Sequence, residues 1–208
     1  MKLIPARKAV PYTTICIVLA FALMATEGYA KRKRHAKPIP TGTNASFTLD
    51  SLTFYGNFDN SPPGCDIAHP VIHTQRGGCA GGVGTFSDPI TFAVAPQVQN
   101  KVPPGEIIYI PSLKKYFIME DDCTASGPGG PAVQGDGCDG ELLAGVNEFD
   151  GWIGATNVGD NPGGKATNSQ MTDCEDTLTA SKITVIMNAT AGQPVDTRPL
   201  LNHGKCIQ

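Results

Sequence analysis

Two carboxylates carry the chemistry this sequence can be expected to perform. Asp121 ends the run YFIMED, residues 116–121, and Asp150 sits in FDGWIG, residues 149–154. Alternate residues of a strand share a face, so Asp121 falls with Phe117 and Met119, and Tyr116, Ile118 and Glu120 fall on the other side. A carboxyl among apolar neighbours has its pKa raised by desolvation. A group that keeps its proton near working pH suits general acid catalysis, and a second carboxyl at suitable separation completes the machinery of glycosidic bond cleavage. Asp121 is therefore the expected general acid. Asp150 is the assisting carboxylate on the strand beside it, and Glu120 and Asp122 are expected as solvated neighbours. The competing role for both acids is structural, because acids near Gly-rich turns also bind loop amides.

Aromatic and imidazole side chains could line the same groove. Trp152, the single tryptophan, lies two residues after Asp150. It could stack on a sugar ring, as could Tyr55 and Tyr109, although a lone Trp more often belongs to the core and the two tyrosines carry the same ambiguity. His73 is a candidate base or hydrogen-bond donor. His69 and His73 are four apart, but Pro70 breaks the helix that would put them on one face. The oxygen-rich GDGCDGE, residues 135–141, does not match the twelve-residue calcium loop. There is no C-x2-C pair either, so neither a metal nor a cofactor is expected.

The elements that must position these residues are short and β-rich. The chain has 24 Gly and 17 Pro among 208 residues, with charged residues at 17%, a composition of short strands joined by many turns. LTFYGN (52–57), ITFAVA (90–95), EIIYI (106–110), YFIM (116–119), FDGWIG (149–154) and KITVIMNA (182–189) read as strands. PSLKK links the third to the fourth as a hairpin, residues 38–50 read as a linker, and CEDTLT (174–179) reads as a short helical turn. Long Gly-rich loops fill the intervals. The residues alone imply an all-β domain, a small barrel with long loops.

The chain opens as an exported one. A basic start (Lys2, Arg7, Lys8), an apolar stretch TTICIVLAFALMA and small residues at Gly28 and Ala30 predict a signal peptide over 1–30. A membrane anchor needs about 20 apolar residues, so a secreted chain with no membrane association is expected. KRKRHAK, residues 31–37, reads as a basic propeptide or solvated tail. From His35 onward nine basic residues face 18 acidic ones. That balance repels phosphate backbones and excludes nucleic acid as a partner. Outside the leader, Cys65, Cys79, Cys123, Cys138, Cys174 and Cys206 predict three disulfides, and the sequence does not choose among the connectivities. Sequons at Asn44 and Asn188 are available for glycosylation.

The order TFAVAP, VPPGEIIYIPSLKKYFIMEDD, FDGWIG, SKITVIMN resembles the Asp-Asp-Asp (3D) domain. The matching positions are Pro104-Gly105, Ile108-Tyr109-Ile110, Glu120-Asp121, Asp150 and Ile183-Thr184-Val185. The wording GGVGTFSDPITFA and YFIMEDDC is also similar to a group of secreted fungal proteins. The resemblance implies a six-stranded double-psi β-barrel, related to membrane-bound lytic transglycosylase A and, more distantly, to expansins and glycoside hydrolase family 45. It implies a protonating Asp at Asp121, with Asp150 as its partner. The first Asp of the family triplet falls on Ala95 and is absent, and the interval from Asp121 to Asp150 is long.

The expected organisation is a signal peptide at 1–30, a basic segment and linker at 31–50, a barrel at 51–190 and a tail at 191–208 tied by Cys206. The expected function is action on a cell-wall-type polysaccharide by a secreted monomer. A non-catalytic, expansin-like wall binder or secreted effector is the alternative.

Overall fold

The six apolar runs become six strands that close on one another. The computed structural model describes residues 35–60, 62–124, 137–154 and 166–207, all within the compact unit Lys33–Gln208. The expected signal peptide at 1–30 and the first four residues of the basic run lie outside the described residues. The strands are β1 (Ala45–Gly56), β2 (Ile90–Val94), β3 (Ile107–Ile110), β4 (Lys115–Asp122), β5 (Glu148–Gly154) and β6 (Ala180–Met187). They form a closed barrel in the order β1-β5-β2-β4-β3-β6. The β1/β5 and β2/β4 pairs are parallel and the other four antiparallel. Closure satisfies every edge internally.

Two strands run further than their apolar runs. Residues 45–50, read from sequence as linker, belong to β1 because Ser46 and Thr48 pair with Ile186 and Thr184 of β6, which turns Phe47 and Leu49 into the core. β4 continues through Glu120, Asp121 and Asp122, so the acids lie inside the strand and not beyond its end. Leu49, Phe92, Phe117, Met119, Phe149, Val185 and Met187 fill the interior, none more than 1% exposed. Gly151 faces the same interior, where a Cβ would lie 2.9 Å from the Phe54 ring and 3.3 Å from that of Phe117. Burial of side chains this large, each contributing about 1.5–3 kcal/mol, holds the barrel together.

A second, smaller cluster lies on the outside around Tyr109 and Tyr116, whose ring centroids are 5.0 Å apart. The Tyr109 hydroxyl donates to Pro194 O at 2.7 Å. The disulfides join sequential cysteines: Cys65–Cys79, Cys123–Cys138 and Cys174–Cys206. They tie down the 57–84 loop, the segment after β4 and the C-terminal tail respectively. That tail ends in a hairpin of β7 (Leu201–Asn202) and β8 (Lys205–Cys206), whose turn has positive φ at His203 and Gly204, as a two-residue hairpin turn requires.

Two helices stand where the sequence reading has loop or a single turn. α1 spans Gly137–Leu143 and α2 spans Asn168–Leu178. The start of α2 is fixed by a capping box: Thr167 accepts from the Gln170 amide, and the Gln170 side chain accepts from Thr167 N. The four-residue signature T-N-S-Q encodes it. The hydrophobic periodicity of α2 is weak because its buried face carries Glu175 beside Met171 and Cys174, and that hides it from a pattern search.

Lys115 shows how the tail is fastened. Its side chain is fully buried, and its ammonium donates to Val83 O (3.0 Å), Asp196 O (2.6 Å) and Arg198 O (2.7 Å). Lys115→Met keeps the aliphatic volume but strands three carbonyls. The expected loss is about 3 kcal/mol of unfolding free energy in denaturant titration. A loss below about 1 kcal/mol would show that water satisfies the carbonyls instead.

Candidate functional site

A bulge decides where the acids point. β2 sets Phe92 opposite Met119 and then Ala93 opposite Asp121, two residues of β4 against one of β2. Directly opposed residues share a face, so beyond the bulge Asp121 takes the side of Ala93. Simple alternation misplaces it: Asp121 is on the outer face, away from Phe117 and Met119. On the other flank Ala93 opposes Asp150 of β5, and Asp150 opposes Thr53 of β1. The two acids therefore share one face with β2 between them, not on neighbouring strands. At a strand spacing of about 4.8 Å their Cα atoms lie roughly 10 Å apart.

Tyr55 bridges this face. It opposes Trp152 across β1/β5, packs edge-on against it with centroids 5.2 Å apart, and donates its hydroxyl to Asp121 Oδ2 at 2.7 Å. Trp152 is 4% exposed and Tyr55 8%. Neither ring is open to a sugar, so the stacking role expected of both gives way to a wall that supports Asp121. Asp121 Oδ1 also accepts from the amides of Ala68 and Asp122, each at 2.9 Å. Burial raises the Asp121 pKa and outweighs these hydrogen bonds.

Asp150 is held differently. It is half-buried and, among the described residues, accepts only the Thr53 hydroxyl, at 2.9 Å. Its carboxyl is pushed up to about 8, first by burial and then by the charges of Glu148, Asp59 and Asp121. Sequence reasoning missed two further acids. Glu175 on α2 is buried at 8% exposure, and its Oε1 has no hydrogen-bond partner among the described residues. It too is pushed up to about 8, by burial and then by Asp59, Asp150 and Asp176. Asp59, exposed in the turn after β1, accepts from Gly56 N at 2.7 Å.

Local packing brings Glu175 in. A Cβ on Gly56 would collide with Met171 Sδ, so glycine there lets α2 sit close over β1, and the Cys174–Cys206 bond adjoins Glu175. The capping box is the one sequence signal that could have located this helix, and with it Glu175. Among the described residues no ion pair involves Asp59, Asp121, Asp150 or Glu175.

The remaining candidates fall elsewhere. Glu120 is fully buried, not solvated. Its Oε2 meets Arg76 Nη1 at 3.1 Å and the Thr91 hydroxyl at 2.9 Å, and its Oε1 lies 2.6 Å from His73 Nδ1. His73 thus serves the network that fastens the 57–84 loop onto β4 and is not a free base. Asp122 is bound as well, to His69 Nε2 at 2.9 Å and Gln99 Nε2 at 2.5 Å. Tyr109 stands on β3 with its hydroxyl on Pro194, outside the acidic face.

The two histidines bind separate acids. Among the described residues, the groups of ligand atoms close enough to share one ion are Cys65/Asp66/Cys79 and Cys123/Cys138/Glu148. Each contains a disulfide, so neither offers thiolates to a metal. Asn44 and Asn188 are exposed and adjacent: Asn44 N donates to Asn188 O at 3.1 Å. The Asn44 amide also donates to the Thr190 hydroxyl at 3.0 Å. No described helix is long and apolar enough to cross a membrane.

Comparison with known proteins places the chain in a family. A family model described as the DDB_G0273701 N-terminal domain matches residues 47–207, which takes in the whole barrel from the first core residue of β1 to the C-terminal hairpin. An uncharacterised protein of Dictyostelium discoideum is 33% identical over 160 residues, covering 76% of this chain and 59% of its own length. The chain therefore spans less than two thirds of that relative. No solved structure matches. The match runs through all six barrel strands and all four acids of the outer face, and on it the chain belongs to the DDB_G0273701 N-terminal domain family.

Proposed function

We propose that this chain is a secreted protein with a double-psi type of barrel that cleaves a glycosidic bond in a cell-wall-type polysaccharide. Asp150 is the general acid and Asp121 the assisting carboxylate. One observation carries the reading: a partly exposed carboxyl kept protonated across neutral pH stands on the same barrel face as a second, positioned carboxyl. The acid role passes from Asp121 to Asp150 because, among the described residues, three donors on Asp121 stabilise its ionised form, whereas Asp150 has one. Asp150 gives its proton to the leaving oxygen as the C–O bond breaks. Water adds to the anomeric carbon and loses its proton to Asp121. A separation of two strands leaves room for that water. Two parallel pairs within a closed six-stranded barrel support the double-psi assignment.

Asp150→Asn is expected to lower reducing-sugar release from insoluble glycans by at least about 100-fold while leaving pull-down on the same glycans intact. Wild-type protein that releases nothing from chitin, β-glucan, cellulose or peptidoglycan would end the enzymatic reading. A non-catalytic wall-binding protein or secreted effector is the second reading. It is favoured by the way Asp121 is already engaged by Tyr55, Ala68 and Asp122, and it predicts binding without release.

A further inference from the structure

Among the described residues the acidic face has no counter-charge of its own. Asp59 stands at its exposed rim, Asp150 is half-buried, and Glu175 and Asp121 lie deep. The charged groups acting on Glu175 are Asp59, Asp150 and Asp176, all of one sign. None of these four acids forms an ion pair among the described residues. Burying carboxyls together without compensation is unfavourable, and the Glu175 Oε1, more than nine-tenths buried, has no hydrogen-bond partner among the described residues. An acceptor left in this state fits a donor that arrives with the ligand.

The spread of the acids selects the kind of donor. Their oxygens are not among the described groups that gather within reach of one ion, so a single metal ion does not suit them. A chain bearing several separate positive charges does.

Resting on the reading of this face as a glycan site, we propose that it takes a polysaccharide with free ammonium groups, a deacetylated amino-sugar polymer, and that Glu175 accepts a hydrogen bond from one ammonium. Binding of the ammonium displaces the proton that Glu175 carries in the free protein, and acetylation would remove both the charge and the donors, so a neutral glycan of the same backbone binds more weakly.

The test is retention of the purified protein on chitosan, chitin and cellulose at low and at 0.5 M NaCl, with wild type and Glu175→Gln. Wild type is expected to prefer chitosan to chitin by about tenfold or more at low salt, and the preference should shrink at high salt. Glu175→Gln should lose most of that preference while melting no lower than wild type. Equal retention on all three glycans overturns the inference. So does an undiminished chitosan preference in Glu175→Gln, which would trace it to the overall negative charge. Sugar release that depends on Asp150 but shows no taste for free amines would leave the proposed reaction standing and remove only this inference.

Discussion

The protein is expected to melt at a higher temperature at pH 5 than at pH 8, by roughly 6–12 °C. Asp150 and Glu175 each hold a proton up to about pH 8 in the folded chain, whereas an unfolded Asp or Glu loses it near pH 4. Between these values the folded state binds more protons than the unfolded one, so stability falls as pH rises. The contribution is complete below about pH 4 and gone above about pH 8. A carboxyl that keeps its proton across three pH units contributes up to about 4 kcal/mol. Partial exposure of Asp150 and the coupling of the two acids reduce this, leaving about 3 kcal/mol, which a chain of this size registers as the stated shift. Asp150→Asn and Glu175→Gln should each flatten the profile and melt above wild type at pH 8, with little change at pH 5. A variant pair that keeps the wild-type slope would show that neither carboxyl is held protonated. Acids retained at such a cost in stability are what a functional face requires.

The six strands were legible because each is a short apolar run, most of them bounded by Gly, Pro or Asn, and the barrel follows from six such runs in one domain. Asp121 and Asp150 were legible as residue types but not as a geometry. The bulge opposite Phe92 and Ala93 has no sequence mark in YFIMEDD, yet one extra residue moves Asp121 from the core face to the outer face. Glu120 shows the same limit. An acid beside two others reads as solvated, and only the folded chain brings Arg76 and His73, which lie far back in a Gly-rich loop, onto it. Glu175 could have been approached through its capping box. Nothing local to it tells that α2 lies over β1 and β5, since that depends on a glycine at position 56.

Arg76→Met should be the most damaging single substitution in the loop that covers β4. The Arg76 side chain is 15% exposed, and its guanidinium reaches Glu120 Oε2 at 3.1 Å, Asp88 Oδ1 at 2.8 Å and Pro89 O at 2.6 Å. Removing it leaves Glu120, fully buried, with the Thr91 hydroxyl and His73 as its remaining side-chain neighbours among the described residues. Breaking a buried pair from one side costs about 3–5 kcal/mol, because the remaining charge stays desolvated. The consequence extends to the acidic face. The same loop carries Ala68, whose amide is one of the three donors on Asp121, and His69, which binds Asp122. A loosened loop releases both. Denaturant titration should show the stability loss, and hydrogen exchange should show lost protection at Ala68 together with the 65–80 segment. The double variant Arg76→Met/Glu120→Gln should recover part of the loss, since it removes the stranded charge. If the single variant costs under about 1 kcal/mol, or the double is no better than the single, the loop is held by its disulfide and backbone bonds.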